Sequence, residues 1–153
     1  MISKKTKYAL KALAHLAEHS SSQPVLISDL AKAENIPKKF LEFILLSLRK
    51  GGILQSKIGK GGGYYLTLTP ASVSLGSVVR ILEGDLAPVQ CLSETNYAKC
   101  DECSDEETCG IRLVMTDVNK SLVQTLNSLT LADIIERSAN EKNKRANIMD
   151  YSI

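Results

Sequence analysis

Residues 36–68 read IPKKFLEFILLSLRKGGILQSKIGKGGGYYLTL, and the fold follows from how this stretch divides. Pro37 suits the first position of a helix, where its missing N–H costs nothing, and Leu41, Ile44, Leu45 and Leu48 then share one face up to about Lys50. Lys38, Lys39 and Glu42 are expected to face outward. After Gly51-Gly52, two β-rich runs at 53–57 and 64–68 flank the tip Gly59-Lys60-Gly61-Gly62-Gly63, the pattern of a hairpin. A nucleotide-binding loop does not fit, because no Gly-Lys-Ser/Thr ending occurs and the glycines lead into a strand.

Upstream, residues 28–34 form a short helical pattern with Asp29 in the first turn and Asn35 where a left-handed residue would end it. Two short helices joined by a tight turn make a helix-turn-helix, whose second helix can enter the DNA major groove. Followed by a hairpin, the order is that of a winged helix. Before it, Ala9, Ala12, Leu13, Leu16 and Ala17 give residues 3–19 an amphipathic stripe with Ser3 as N-cap, and Lys4, Lys5, Lys7 and Lys11 cluster near its start. Residues 20–24 read as a loop, and 25–27 as a short extended piece.

Downstream, Ser74 can cap a helix through about Glu83, with Gly84-Asp85 ending it. Periodicity then stops: residues 86–110 carry all four cysteines, six acidic residues and one lysine, too little apolar content for a core. Such a loop requires disorder or an external ligand. From Ile111, the residues Val114, Met115, Val118, Leu122, Leu126 and Leu129 advance by threes and fours over about five turns. That stripe is long for so small a core, so pairing with a second copy is expected, with burial in its own monomer as the alternative. Thr130 begins a short last helix through Ile135, and residues beyond about Ser138 are expected to fray. The expected fold is mainly α with a small β-hairpin. It divides into a winged helix-turn-helix DNA-binding domain at 1–85, a cysteine-rich sensor loop at 86–110, a long dimerisation helix with a short terminal helix at 111–137, and a flexible tail at 138–153.

Charge is segregated. Residues 1–65 hold eleven Lys and Arg against four Asp and Glu, a balance of +7, whereas 66–153 hold eight against thirteen, −5, which together give the net +2. A basic first half suits a polyanion. No run of eighteen apolar residues could cross a bilayer, and the N-terminal pattern lacks the apolar core of a signal peptide, so a cytoplasmic location is expected.

The cysteines stand as Cys91-x8-Cys100-x2-Cys103-x5-Cys109. In a reducing compartment, clustered thiols point to metal or redox chemistry rather than to stable disulfides, and thiolates prefer zinc, copper(I) or iron–sulfur clusters. Spacing alone leaves zinc and iron–sulfur both open, with unliganded thiols a third possibility. An oxidoreductase built on Cys100-x2-Cys103 is disfavoured, because the only histidines, His15 and His19, lie in the first helix and no thioredoxin-like βαβ pattern surrounds the pair.

Taken together, Lys7-Tyr8-Ala9-Leu10, Ile36-Pro37-Lys38-Lys39-Phe40-Leu41-Glu42, Leu48-Arg49-Lys50-Gly51-Gly52-Ile53-Leu54, the glycine-rich tip with Tyr64, Cys103-x5-Cys109 and Leu129-Thr130-Leu131-Ala132-Asp133 carry a resemblance. Up to about Glu136 the chain resembles the iron–sulfur winged-helix regulators that include IscR and NsrR. The resemblance implies a homodimer on palindromic double-stranded promoter DNA, most often a repressor, with cluster occupancy, redox state or nitric oxide changing DNA affinity. It implies base reading by Glu42, and the expected DNA contacts are Lys4, Lys38, Lys39, Glu42, Lys57 and Lys60. The usual wing arginine is replaced by Ile58. Cys103 and Cys109 match two family ligands, Tyr97 stands where the first is expected, Arg112 replaces a histidine ligand of some members, and Lys7 replaces an aspartate of others. Cys91 and Cys100 are therefore expected to complete a four-thiolate set around a 2Fe-2S or 4Fe-4S cluster. A metal-free regulator or adaptor governed by a protein partner or thiol oxidation is the alternative.

Overall fold

The computed structural model describes residues 2–19 and 23–150, apart from the side chains of Met149 and Asp150, so Ser20 to Ser22 of the expected loop and the last three residues of the tail lie outside it. The elements are α1 (Lys4–His19), α2 (Ile27–Glu34), α3 (Lys38–Lys50), β1 (Leu54–Lys57), β2 (Gly63–Leu66), α4 (Leu75–Glu83), α5 (Gly110–Ser128) and α6 (Leu131–Asp150). Helix-turn-helix, hairpin and long helix thus appear in the expected order, in a mostly helical winged-helix fold.

The core forms where the stripes of α1, α3 and α4 converge. Leu13 and Leu16 meet Leu30, Leu41, Ile44, Leu45, Leu48, Val78 and Leu82, with Leu54 closing it from β1 and Leu131 from the first turn of α6. Local chemistry sets the boundaries. Asn35 adopts φ 52° and ψ 50°, and its N–H and that of Ile36 return to the carbonyls of Lys32 and Ala31, which ends α2 and makes the turn. Pro37 stands one residue ahead of α3, not within it, and its carbonyl accepts from Phe40 and Leu41 N–H at 3.0 and 2.9 Å. The Ser74 hydroxyl accepts from Ser77 N–H at 3.1 Å, as an N-cap should. At the other end of α4, burial pushes the Glu83 carboxyl up, but hydrogen bonds from Ser3 and Thr6 outweigh it and leave the pKa below the usual value. That carboxylate pins the start of α1 to the end of α4.

Two differences from the sequence-based picture have physical causes. The terminal helix does not stop near Ile135 but continues to Asp150. Residues 136–150 contain no Gly or Pro, include Ala139, Lys142, Lys144, Arg145 and Ala146, and gain a Glu141–Lys144 ion pair at 2.7 Å, so helix propensity carries a polar segment that hydrophobic period could not detect. The second difference is the anchor of the cysteine loop. The Asp85 carboxylate accepts from Ser93 Oγ, Glu94 N, Thr95 N, Thr95 Oγ1 and Ala87 N. Those donors, Thr95 N–H foremost, hold its pKa down at about 2. Disorder and an external ligand were the sequence-based alternatives; a carboxylate at the loop's own root is a third device.

Candidate DNA interface and cysteine site

On α3, burial of Leu41, Ile44, Leu45 and Leu48 leaves Lys38, Lys39, Glu42, Phe43 and Lys50 on the exposed side. Phe43 is 58% exposed there, an unusual position for a phenylalanine on a folded surface. Tyr8 of α1 meets Phe40 edge to face, with ring centroids 5.9 Å apart, and Lys4 Nζ lies 5.5 Å from the centre of the Tyr8 ring. This chain of contacts ties Lys4 and the start of α1 to Phe40 in the first turn of α3.

The wing pairs Leu54 with Leu66 through Lys57 with Gly63 in antiparallel register. Its base is fixed by Val25, whose N–H and carbonyl pair with Tyr64 at 2.9 and 2.8 Å. Gly63 adopts φ 145°, and a Cβ there would lie 2.3 Å from the Val25 carbonyl oxygen, so this close approach requires glycine. Arg49 donates to Ser56 Oγ at 2.9 Å and ties the end of α3 to the wing. Lys57 and Lys60 are exposed, and Ile58 stands 96% exposed at the tip.

The four cysteines are free thiols that line a single cavity of about 330 Å³ with Lys99, Glu102, Glu106 and Arg112. Cys109 is the N-cap residue of α5 and offers it no side-chain cap. The Cys100 thiol donates to Glu102 Oε2 at 3.1 Å, a bond that raises its pKa. Desolvation, reinforced by the neighbouring Cys109 thiol and Glu106, raises that of Cys103. Among the described residues, no three Cys, His, Asp or Glu side chains converge closely enough to hold a metal ion.

The sequence matches the model described as Rrf2, iron-dependent transcriptional regulator, over residues 2–137. The chain belongs to the Rrf2 family. The "rrf2-like" HTH-type transcriptional regulator of Rhodobacter capsulatus is 45% identical over 138 residues, covering 88% of this chain and 92% of the relative. Among solved structures, CymR, the global cysteine regulator of B. subtilis, is similar with a TM-score of 0.73 at 26% identity, covering 90% of this chain and 97% of that one. T. potens IscR is similar with a TM-score of 0.71 at 29% identity, covering 90% and 88%.

This Rrf2 protein is accordingly a transcriptional regulator, and its family consists of regulators, not enzymes. No described helix is long and apolar enough to cross a membrane. Of the residues singled out from sequence, Lys38, Lys39 and Glu42 share one exposed helix face, Lys57 and Lys60 belong to the wing, and the four cysteines share one cavity. Sequence reasoning gave no site role to Tyr8, Arg49 or Asp85. Their roles depend on contacts between elements, which no local pattern encodes. Arg112, in sequence only a departure from a histidine ligand, lines the cysteine cavity, and its Nε is buried without a hydrogen-bond partner.

Proposed function

We propose that this Rrf2 regulator is a homodimeric repressor of cytoplasmic promoter DNA, whose affinity is governed by a 2Fe-2S or 4Fe-4S cluster held by Cys91, Cys100, Cys103 and Cys109. The observation that carries the reading is that all four cysteines line one cavity at the start of α5, although their thiols must draw closer to hold a cluster. The donor chemistry fits such a group: thiolates favour iron–sulfur centres, and the partnerless Arg112 Nε is a donor suited to an anionic occupant. Closing the set requires the Cys100 thiol to leave Glu102. When bound, a cluster supplies a centre sensitive to oxidation, nitric oxide and iron supply.

The chain's own residues perform the rest. α3 is offered to the major groove, with Glu42 accepting from a base edge such as cytosine N4, while Lys4, Lys38, Lys39, Lys57 and Lys60 engage phosphates. On α5, Ile111, Leu113, Val114, Val118 and Leu122 are 39–69% exposed, and a second copy of the helix is the partner that buries them. Because Cys109 stands at the N-cap position of α5, the order of the loop bears on the placing of that helix, and through the dimer on the spacing of two α3 helices.

Anaerobic purification followed by visible absorbance, iron, sulfide and zinc analysis, and promoter binding at two salt concentrations tests this. A brown, iron- and sulfide-containing dimer is expected, losing about 0.9 in the salt slope for each phosphate contact removed. Stoichiometric zinc without sulfide would replace the cluster by a tetrahedral zinc site. A metal-free regulator switched by thiol oxidation is favoured by one specific observation, that all four cysteines are free thiols lining one cavity, and a colourless, metal-free protein that still binds promoters would establish it.

A further inference from the structure

We infer that Arg112 is a positioning residue of the cysteine cavity, a fixed guanidinium donor that offsets the negative charge of four thiolates and orients the group they hold. The inference rests on the four-thiolate reading above. Arg112 lies in the first turn of α5, three residues beyond Cys109, and lines the same cavity as all four cysteines. Its Nε is buried with no hydrogen-bond partner, so the guanidinium is not held by any group of the chain at that atom. Its backbone is already committed, since its carbonyl accepts from Thr116 Oγ1 at 2.8 Å.

Neighbouring groups leave the charge available. Of the two carboxylates at the cavity, Glu102 accepts from the Cys100 thiol and Glu106 from the Tyr97 hydroxyl at 2.9 Å, and Lys99 adds a second cation. The first turn of α5 contains no acidic residue and Cys109 gives it no side-chain cap, so the positive end of a nineteen-residue helix adds to the same anion preference. A guanidinium has no lone pair to offer a metal and stays protonated. It therefore cannot ligate, but it can donate to sulfur, and cationic donors near thiolate sulfur stabilise the more negative, reduced state.

The test uses the full-length protein with Arg112→Gln and Arg112→Lys. Cobalt(II) titrated into the metal-free protein reports thiolate ligand number through charge-transfer intensity, and affinity through the midpoint. Arg112→Gln should keep the intensity but bind cobalt several-fold more weakly, and the iron-loaded form should be reduced at a more negative potential. Arg112→Lys, which keeps the charge, should recover most of both shifts. Wild-type cobalt affinity and potential in Arg112→Gln would overturn the inference, as would loss of helical circular dichroism in both variants, which would assign Arg112 to packing alone. If the wild-type protein never takes up iron and sulfide, the cluster reading fails while the cobalt arm still decides the role of Arg112.

Discussion

Helices α3 and α5 both read as amphipathic, yet they spend their apolar faces differently. The thirteen residues of α3 bury four large side chains, whereas the nineteen of α5 bury none. Both stripes recur at helical spacing, so the difference lies outside the helices themselves. α3 is surrounded by α1, α2, α4 and β1, while α5 touches chiefly α4 and the short turn at Gln90–Leu92. Much of the α5 stripe thus stays exposed in its own chain, and in the reading proposed above a second copy covers it.

The comparison is easiest to break with matched substitutions. Leu45→Ala on α3 should cost about 2–5 kcal/mol of unfolding free energy in urea melts, from lost burial and the cavity left behind. Val118→Asp on α5 should leave helical content and urea midpoint of the monomer near wild type, yet convert the protein to a monomer in sedimentation and abolish tight promoter binding. A Val118→Asp protein that remained dimeric would show that the α5 stripe is not the interface.

Next in size is the anchor of the loop. Asp85→Asn retains a side chain of similar shape but removes the charge that five donors satisfy, and cleavage of the 86–110 loop by a protease should accelerate several-fold while DNA affinity of the α3 and wing face holds. The sign in pH follows from the direction of the shift. The folded pKa of about 2 is below the ordinary 3.8, so this stabilisation is present at neutral pH and is lost only as pH falls from about 4 toward 2. Protease sensitivity should therefore be flat from pH 5 to 8 in the wild type. Loop opening near pH 6 would point to a different anchor.

Smaller still, Ser74→Ala removes the cap of α4 and should lower stability by about 1 kcal/mol. Glu42→Ala and Lys60→Ala should change no melting midpoint at all. The first should relax base preference, and the second should weaken every DNA sequence alike in fluorescence anisotropy. Lost discrimination in Lys60→Ala would reverse the assignment of base reading and phosphate contact.

Where hydrophobic period or a turn residue decided an element, the sequence was sufficient: α1 to α4, the left-handed Asn35 and the glycine-tipped wing follow from local rules. It failed where propensity alone acted, as in the polar continuation of α6. It was silent where a contact joins distant positions, as with Asp85 and the Ser93–Thr95 donors, or Tyr8 bridging Lys4 and Phe40. The cysteines were legible as a cluster by spacing, but their sharing one cavity with Arg112 required the path of the loop.

One further feature bears on how such a chain can vary. Ser74 and Thr130 form an isolated antiparallel bridge, flanked by hydrogen bonds from Leu75 N–H to the Leu129 carbonyl at 2.8 Å and from Leu131 N–H to the Val73 carbonyl at 3.0 Å, with Leu131 fully buried. Everything from residue 75 to 129 is thus a lasso closed at its neck. For a flexible lasso, each doubling of loop length costs only about 0.6 kcal/mol of closure entropy. Residues can be inserted or removed between Thr95 and Cys109, beyond the Asp85 anchor, at small thermodynamic cost, while the neck itself stays closed. The spacing of the sulfurs can then drift toward a different occupant while the register of α3 and the wing stays where it is.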